Sequence, residues 1–139
     1  MQVQIPRYSK PIFIVGFGGA KLGLYNNFAF PEEEIYASLD RMFNGITIPP
    51  ADRFTILLVH DPPMETALDF TFIKTHAGSV SVRRIIEKWQ PNLAVAGHIH
   101  ESPGIVRLGS TLTINAGEAK FNHFATISVG DSGIDASLH

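Results

Sequence analysis

The sequence predicts an α/β fold whose mixed sheet begins with parallel strands and ends in an antiparallel meander. Three observations carry this expectation. Apolar runs of strand length occur at 12–15, 54–59 and 93–96, each closed by glycine or histidine. Two stretches with helical apolar spacing lie between them, at 31–45 and 79–90. From Ile105 onward the chain reads as short strands separated by glycines. Alternating strands and helices followed by consecutive strands describe an α/β start with an antiparallel end.

In chain order, a polar stretch closes at Lys10-Pro11, and Ile12-Phe13-Ile14-Val15 reads as a buried strand. Gly16-Phe17-Gly18-Gly19 reads as a tight turn after it. Past an aromatic-rich loop, Pro31 suits a first helical position. Glu32, Glu33 and Glu34 suit the electropositive start of that helix and are read as a solvated face. Ile35, Leu39 and Met42 share its apolar side, and it runs to about Asn44-Gly45. The strand at 54–59 stops on His60, and a loop rich in Pro, Asp and His spans 61–78. Ser79 can cap the next helix, where Val82, Ile85, Ile86 and Trp89 recur at i, i+3, i+4 and i+7 before Pro91 closes it. Leu93-Ala94-Val95-Ala96 then delivers Gly97-His98-Ile99-His100. Strands at 105–108, 111–115 and 124–129 complete the pattern.

At 139 residues the chain has the length of one domain. Eleven Lys and Arg against 13 Asp and Glu give a net charge of −2, which offers neither a basic stripe for nucleic acid nor a polybasic membrane anchor. With 45% hydrophobic and 17% charged residues the composition suits a packed core. The absence of cysteine excludes disulfide scaffolds, thiolate metal sites and cysteine nucleophiles, and makes the cytoplasm the expected location. No run approaches the ~18 apolar residues of a membrane span. The first residues lack the charged-then-apolar order of a signal peptide.

Ligands of open α/β sheets gather at the carboxyl ends of the strands. Two strands here end on histidine, at His60 and at His98-Ile99-His100. Neutral imidazole is the commonest protein metal ligand, and a His-x-His pair can aim both rings at one cluster. Gly97 is placed to let the backbone turn just before that pair.

Val-His-Asp-Pro-Pro at 59–63, His-Ala-Gly-Ser at 76–79 and Gly-His-Ile-His-Glu-Ser-Pro-Gly at 97–104 resemble the calcineurin-like metallophosphoesterases, in particular small prokaryotic phosphohydrolases of that family. Asn115-Ala116-Gly117 is similar to the family's Asn-x-Gly strand end, and the likeness runs from about Ile12 to Val129. The resemblance implies the C-terminal half of a four-layer αββα sandwich. It implies that His60 and His98 ligate one metal of a binuclear centre and that His100 ligates the other. Manganese, iron or zinc would serve there, held roughly 3.5–4 Å apart to clamp a phosphomonoester or phosphodiester and activate water.

The motifs that precede this region in the family, Asp-x-His, Gly-Asp and Gly-Asn-His, are missing; the one Gly-Asp is Gly130-Asp131. Those motifs supply the bridging carboxylate, further ligands and the histidine that protonates the leaving group. Three neutral imidazoles leave two dications without a bridging anion to offset their repulsion. The expectation is therefore a single partial domain over 1–139, weak or inactive alone. It would be completed by an N-terminal-half chain or by self-association, because half a sandwich leaves an apolar sheet face bare. The alternative is a noncatalytic phosphoesterase-like interaction module.

Further residues have open or plain readings. His76, before a helix N-terminus, is either a loop histidine supporting the crevice or a substrate-facing group beside a phosphate site. Asp61 and Asp69 either orient imidazoles or are solvated loop carboxylates. Pro62-Pro63 stiffens the loop that aims His60, Glu101 is a rim residue, His123 is structural and His139 is a terminal residue. Phe28, Phe30, Phe70 and Phe72 suggest core packing. Gly16-x-Gly18-x-x-Lys21 lacks the third glycine of a dinucleotide loop.

Overall fold

A computed structural model describes residues 2–3, 8–23 and 28–139, so the aromatic-rich loop falls partly outside the described residues. The elements are β1 (Gln2–Val3), β2 (Ile12–Phe17), β3 (Ala20–Lys21), β4 (Ala29–Phe30), α1 (Glu32–Asn44), β5 (Phe54–Val59), α2 (Val80–Trp89), β6 (Leu93–Ala96), β7 (Gly104–Leu108), β8 (Thr111–Asn115), β9 (Ala125–Gly130) and β10 (Gly133–Leu138). One six-stranded sheet has the order β1-β2-β5-β6-β8-β7. Its inner strands β2, β5, β6 and β8 run parallel, and β1 and β7 are antiparallel at the edges. This is the mixed α/β architecture the sequence predicts.

Because side chains alternate along a strand, the sheet builds two cores. Val15, Leu57, Val59, Ala94 and Ala96 face α1 and α2, where they meet Ile35, Leu39, Phe43, Val82, Ile85 and Ile86. On the opposite face Ile12, Phe54, Leu93, Leu112 and Ile114 are covered by Ile127 and Val129 of β9 and Ile134, Ala136 and Leu138 of β10. The described residues therefore form three layers: helices, the six-stranded sheet and a two-stranded hairpin. The face expected to be bare is covered over most of its area and open at the carboxyl ends of β2 and β5. There Leu58 is 50% exposed. With Gly16, Phe17, Gly18, Val59 and His60 it lines a groove of about 330 Å³.

Four local expectations are corrected. β2 continues through Gly16 and Phe17, which pair with Leu58 and Val59, so the turn is confined to Gly18-Gly19. Met42 is 39% exposed, and Phe43 takes the core position at 1%. The ring of Phe43 stacks on Trp89 of α2 with centroids 5.4 Å apart, which selects it over its neighbour. Phe28, Phe70 and Phe72 lie at the surface, with Phe72 85% exposed. Finally, β10 lies beyond the strands the sequence predicts, although Ile134, Ala136 and Leu138 alternate with Asp135 and Ser137 in the period of a half-buried strand.

Glu32 is not solvated: it joins the two helices. Its carboxylate accepts from Ser79 Oγ at 2.7 Å, from Ser81 N at 2.9 Å and from Val80 N at 3.1 Å. Ser79 Oγ in turn accepts from Val82 N at 3.1 Å as the N-cap of α2. The first residue of α1 thus satisfies the open N–H groups of α2 with a charge of the sign its dipole favours. Glu32→Ala is expected to cost about 1–2 kcal/mol and Glu32→Gln less, measured by urea unfolding. Equal stability of the three proteins would show that this cap contributes nothing.

Candidate metal centre

β5 and β6 are parallel neighbours, so the residues that follow them leave the same edge of the sheet side by side. His60 follows β5 and His98 follows β6 by two residues, and Gly97 N–H donates to the His60 carbonyl at 3.0 Å. The sharp turn expected at Gly97 occurs at His98 instead, whose φ is +65°. Ile99 N–H donates to the Gly97 carbonyl at 2.8 Å and closes a three-residue turn around it. A non-glycine residue in this region is strained, and such strain gathers at functional sites.

The consequence is a close pair of imidazoles. His60 Nε2 and His98 Nδ1 stand 2.9 Å apart. In complementary tautomers one donates to the other; with both lone pairs free the two nitrogens are close enough to share a cation. Burial holds the pKa of His98 below its ordinary value; His60, His100 and Lys21 push the same way, and Asp61 opposes them. That favours neutral imidazole, the form that binds metals. Asp61 joins the pair: one ligand atom from each of His60, Asp61 and His98 lies within 4.8 Å of the other two, a group that could hold a metal ion. The donor set of two imidazoles and a carboxylate fits a divalent transition metal.

His100 stands apart from this group. Its Nδ1 lies 3.1 Å from Glu118 Oε2, and its side chain is half exposed. Sequence reasoning missed Glu118, which follows the Asn115-Ala116-Gly117 turn with no spacing cue to link it to His100. His76 sits on the neighbouring loop. Its Nδ1 lies 2.8 Å from Asp69 Oδ1, and its ring stands edge-on to Phe70. With Nδ1 held by Asp69, Nε2 is the nitrogen left to face outward.

Neither aspartate is solvated: Asp61 is 2% exposed and Asp69 fully buried. Asp69 also accepts from the backbone N–H groups of Glu65, Thr66 and Gly78. Burial raises its pKa, but His76 and these three donors outweigh that and keep the carboxyl below its ordinary value. The same loop is pinned to α2, as Ser79 N–H donates to the Pro62 carbonyl at 2.8 Å and Met64 N–H to the Ser79 carbonyl at 3.1 Å. Gly78 is required there, because a Cβ would stand 2.6 Å from the Pro62 carbonyl oxygen.

Asn115 ties the two loops together. It is fully buried at the end of β8, and its Nδ2 donates to the carbonyls of Leu68, Ile99 and Ser102 at 2.8–3.1 Å. Its Oδ1 accepts from Gly117 N–H at 3.0 Å. Glu101 accepts from Phe72 N–H at the rim. His139 stacks on Phe124, and the His123 ring lies against Gly117.

The profile of the metallophosphoesterases of the calcineurin superfamily matches residues 13–138. The chain belongs to that family. The uncharacterized protein MJ1162 of Methanocaldococcus jannaschii is 34% identical to this metallophosphoesterase-family chain over 109 residues, 75% of this chain and 47% of that protein. A solved crystal structure superposes on the whole chain and 51% of its own length with a TM-score of 0.75 at 21% identity. The crystal structure of TT1561 of Thermus thermophilus has a TM-score of 0.60 at 15% identity, covering 91% of this chain and 53% of that one. These two structures show likeness of fold. The chain spans about half the length of each of these relatives.

The Asp69 network gives an acid dependence of stability. Its folded pKa lies below that of the unfolded chain, so the unfolded state takes up the proton first as the pH falls. The stabilisation is present above about pH 4 and is lost as the pH drops through the folded value. Asp69→Asn is expected to cost about 2–3 kcal/mol at neutral pH and to flatten this part of the profile, read from urea unfolding between pH 2 and 7. An unchanged profile in the variant would assign the acid lability elsewhere.

Proposed function

We propose that this chain is one part of a metal-dependent phosphoester hydrolase. The observation that carries the reading is the His60–His98 pair at 2.9 Å beside the buried Asp61, in a chain of the metallophosphoesterase family. A bound ion there would draw charge from phosphoryl oxygens and lower the pKa of water. His60 and His98 hold one ion, His100 serves a second, and manganese, iron or zinc suits these nitrogen and oxygen donors. The chain is a partial domain, and the remaining carboxylate and histidine ligands come from a further polypeptide segment, a partner chain or a second copy. His76, oriented by Asp69, faces a small phosphomonoester or phosphodiester. The exposed end of the sheet around Leu58 and Gly16 is where the completing segment packs. Among the described residues no helix is long and apolar enough to cross a membrane.

The test mixes the chain with a polypeptide that carries Asp-x-His and Gly-Asn-His motifs, in the presence of manganese. Hydrolysis of an aryl phosphoester should rise above the metal-only control, and His98→Ala should lower it at least 100-fold. Activity no higher than the control would reject the hydrolase reading and favour a noncatalytic interaction module. Alone, the chain is expected to self-associate through the sheet face around Leu58. A compact monomer in sedimentation velocity would count against that arrangement.

A further inference from the structure

We infer that Asp61 is itself a metal ligand and that His60, Asp61 and His98 let this chain hold one divalent transition-metal ion unaided. The inference rests on the metal-centre reading above and adds to it a third donor and a stoichiometry. Asp61 is 2% exposed, and its Oδ2 accepts from Lys21 N–H at 2.6 Å. Its Oδ1 is buried and has no hydrogen-bond partner among the described residues. That oxygen lies 3.7 Å from His98 Nε2. A buried carboxylate oxygen left unpaired is costly, and a cation is the partner that removes the cost.

A role confined to orienting His98 from outside the centre explains less. The separation of 3.7 Å is too long for a hydrogen bond, and Oδ1 would stay unpaired. The spacing suits ligation better. Ligands about 2.1 Å from a tetrahedral ion stand about 3.4 Å from one another. One ligand atom from each of His60, Asp61 and His98 lies within 4.8 Å of the other two, a spread that small side-chain rotations close to that edge. Charge points the same way: one carboxylate halves the charge of a dication that neutral imidazoles alone leave whole. His100, held at 3.1 Å by Glu118, is not needed for this ion.

The experiment loads the full 139-residue chain with cobalt(II), follows the visible absorption bands, and measures zinc affinity by competition with a coloured chelator. One equivalent is expected to bind. Asp61→Asn keeps an acceptor for Lys21 N–H, and it should weaken zinc more than 100-fold and move the cobalt bands at saturation. Unchanged bands at saturation would mean that Asp61 only positions His98, and would overturn the assignment. Should Asp61→Asn not fold, zinc-soaked crystals of the natural chain decide the matter. An anomalous peak about 2.0–2.2 Å from an Asp61 oxygen supports ligation, and one beyond about 3 Å overturns it. If the natural chain takes up no cobalt, as expected of His98→Ala, the metal centre itself is rejected and the ligand assignment falls with it.

Discussion

The geometry of the site depends on one buried carboxamide. Asn115 ends β8 inside the protein, and its two N–H bonds are shared by three carbonyls from the loops that carry the histidines and the Asp69–His76 pair. The bonds to Leu68 and Ile99 are buried, so neither of those carbonyls can relax away without losing its partner. The strained turn at His98 persists because its neighbour Ile99 is held from both sides, through its carbonyl by Asn115 and through its N–H by Gly97. A loop site thereby gains the rigidity of the sheet beneath it.

Charge is arranged around that frame with the same economy. Two aspartates are buried on the loop after β5, and their environments differ. Asp69 is surrounded by donors, which keeps its carboxyl ionised and makes it a structural anchor. Asp61 has one satisfied oxygen and one orphan, which makes it a candidate for a cation. Lys21 is shared between the two halves of this arrangement: its backbone N–H meets Asp61, and its ammonium reaches the Gly78 carbonyl at 2.7 Å. The short β3 segment thus holds the loop at both of its ends.

Much of the framework was legible in the residues. Apolar runs located β2, β5 and β6 because these inner strands carry apolar side chains on both faces, and the i, i+3, i+4, i+7 spacing located α2. The Gly-His-x-His element pointed to the family. Less legible were positions where two residue types compete for one place, as with Met42 and Phe43. The exposed aromatics at 70 and 72 escaped as well, because a tight turn closed by Thr71 and Thr75 overrides hydrophobicity. Asp61 and Asp69 stayed open between two readings because burial of a charge depends on partners distant in sequence, such as Lys21, 40 residues away from Asp61.

The sequence by itself determined which residue types stand at the strand ends, and therefore that imidazoles meet at the carboxyl edge of a parallel sheet. It also determined that none of these 139 residues brings a thiolate. Only the tertiary structure decided which donors share a point in space. His60, Asp61 and His98 converge while His100 turns toward Glu118, although His98 and His100 are two residues apart. Adjacency along the chain sets distance only to within a rotation of the backbone. That rotation is fixed by the φ of His98 and by hydrogen bonds from Asn115, and neither is written in local spacing.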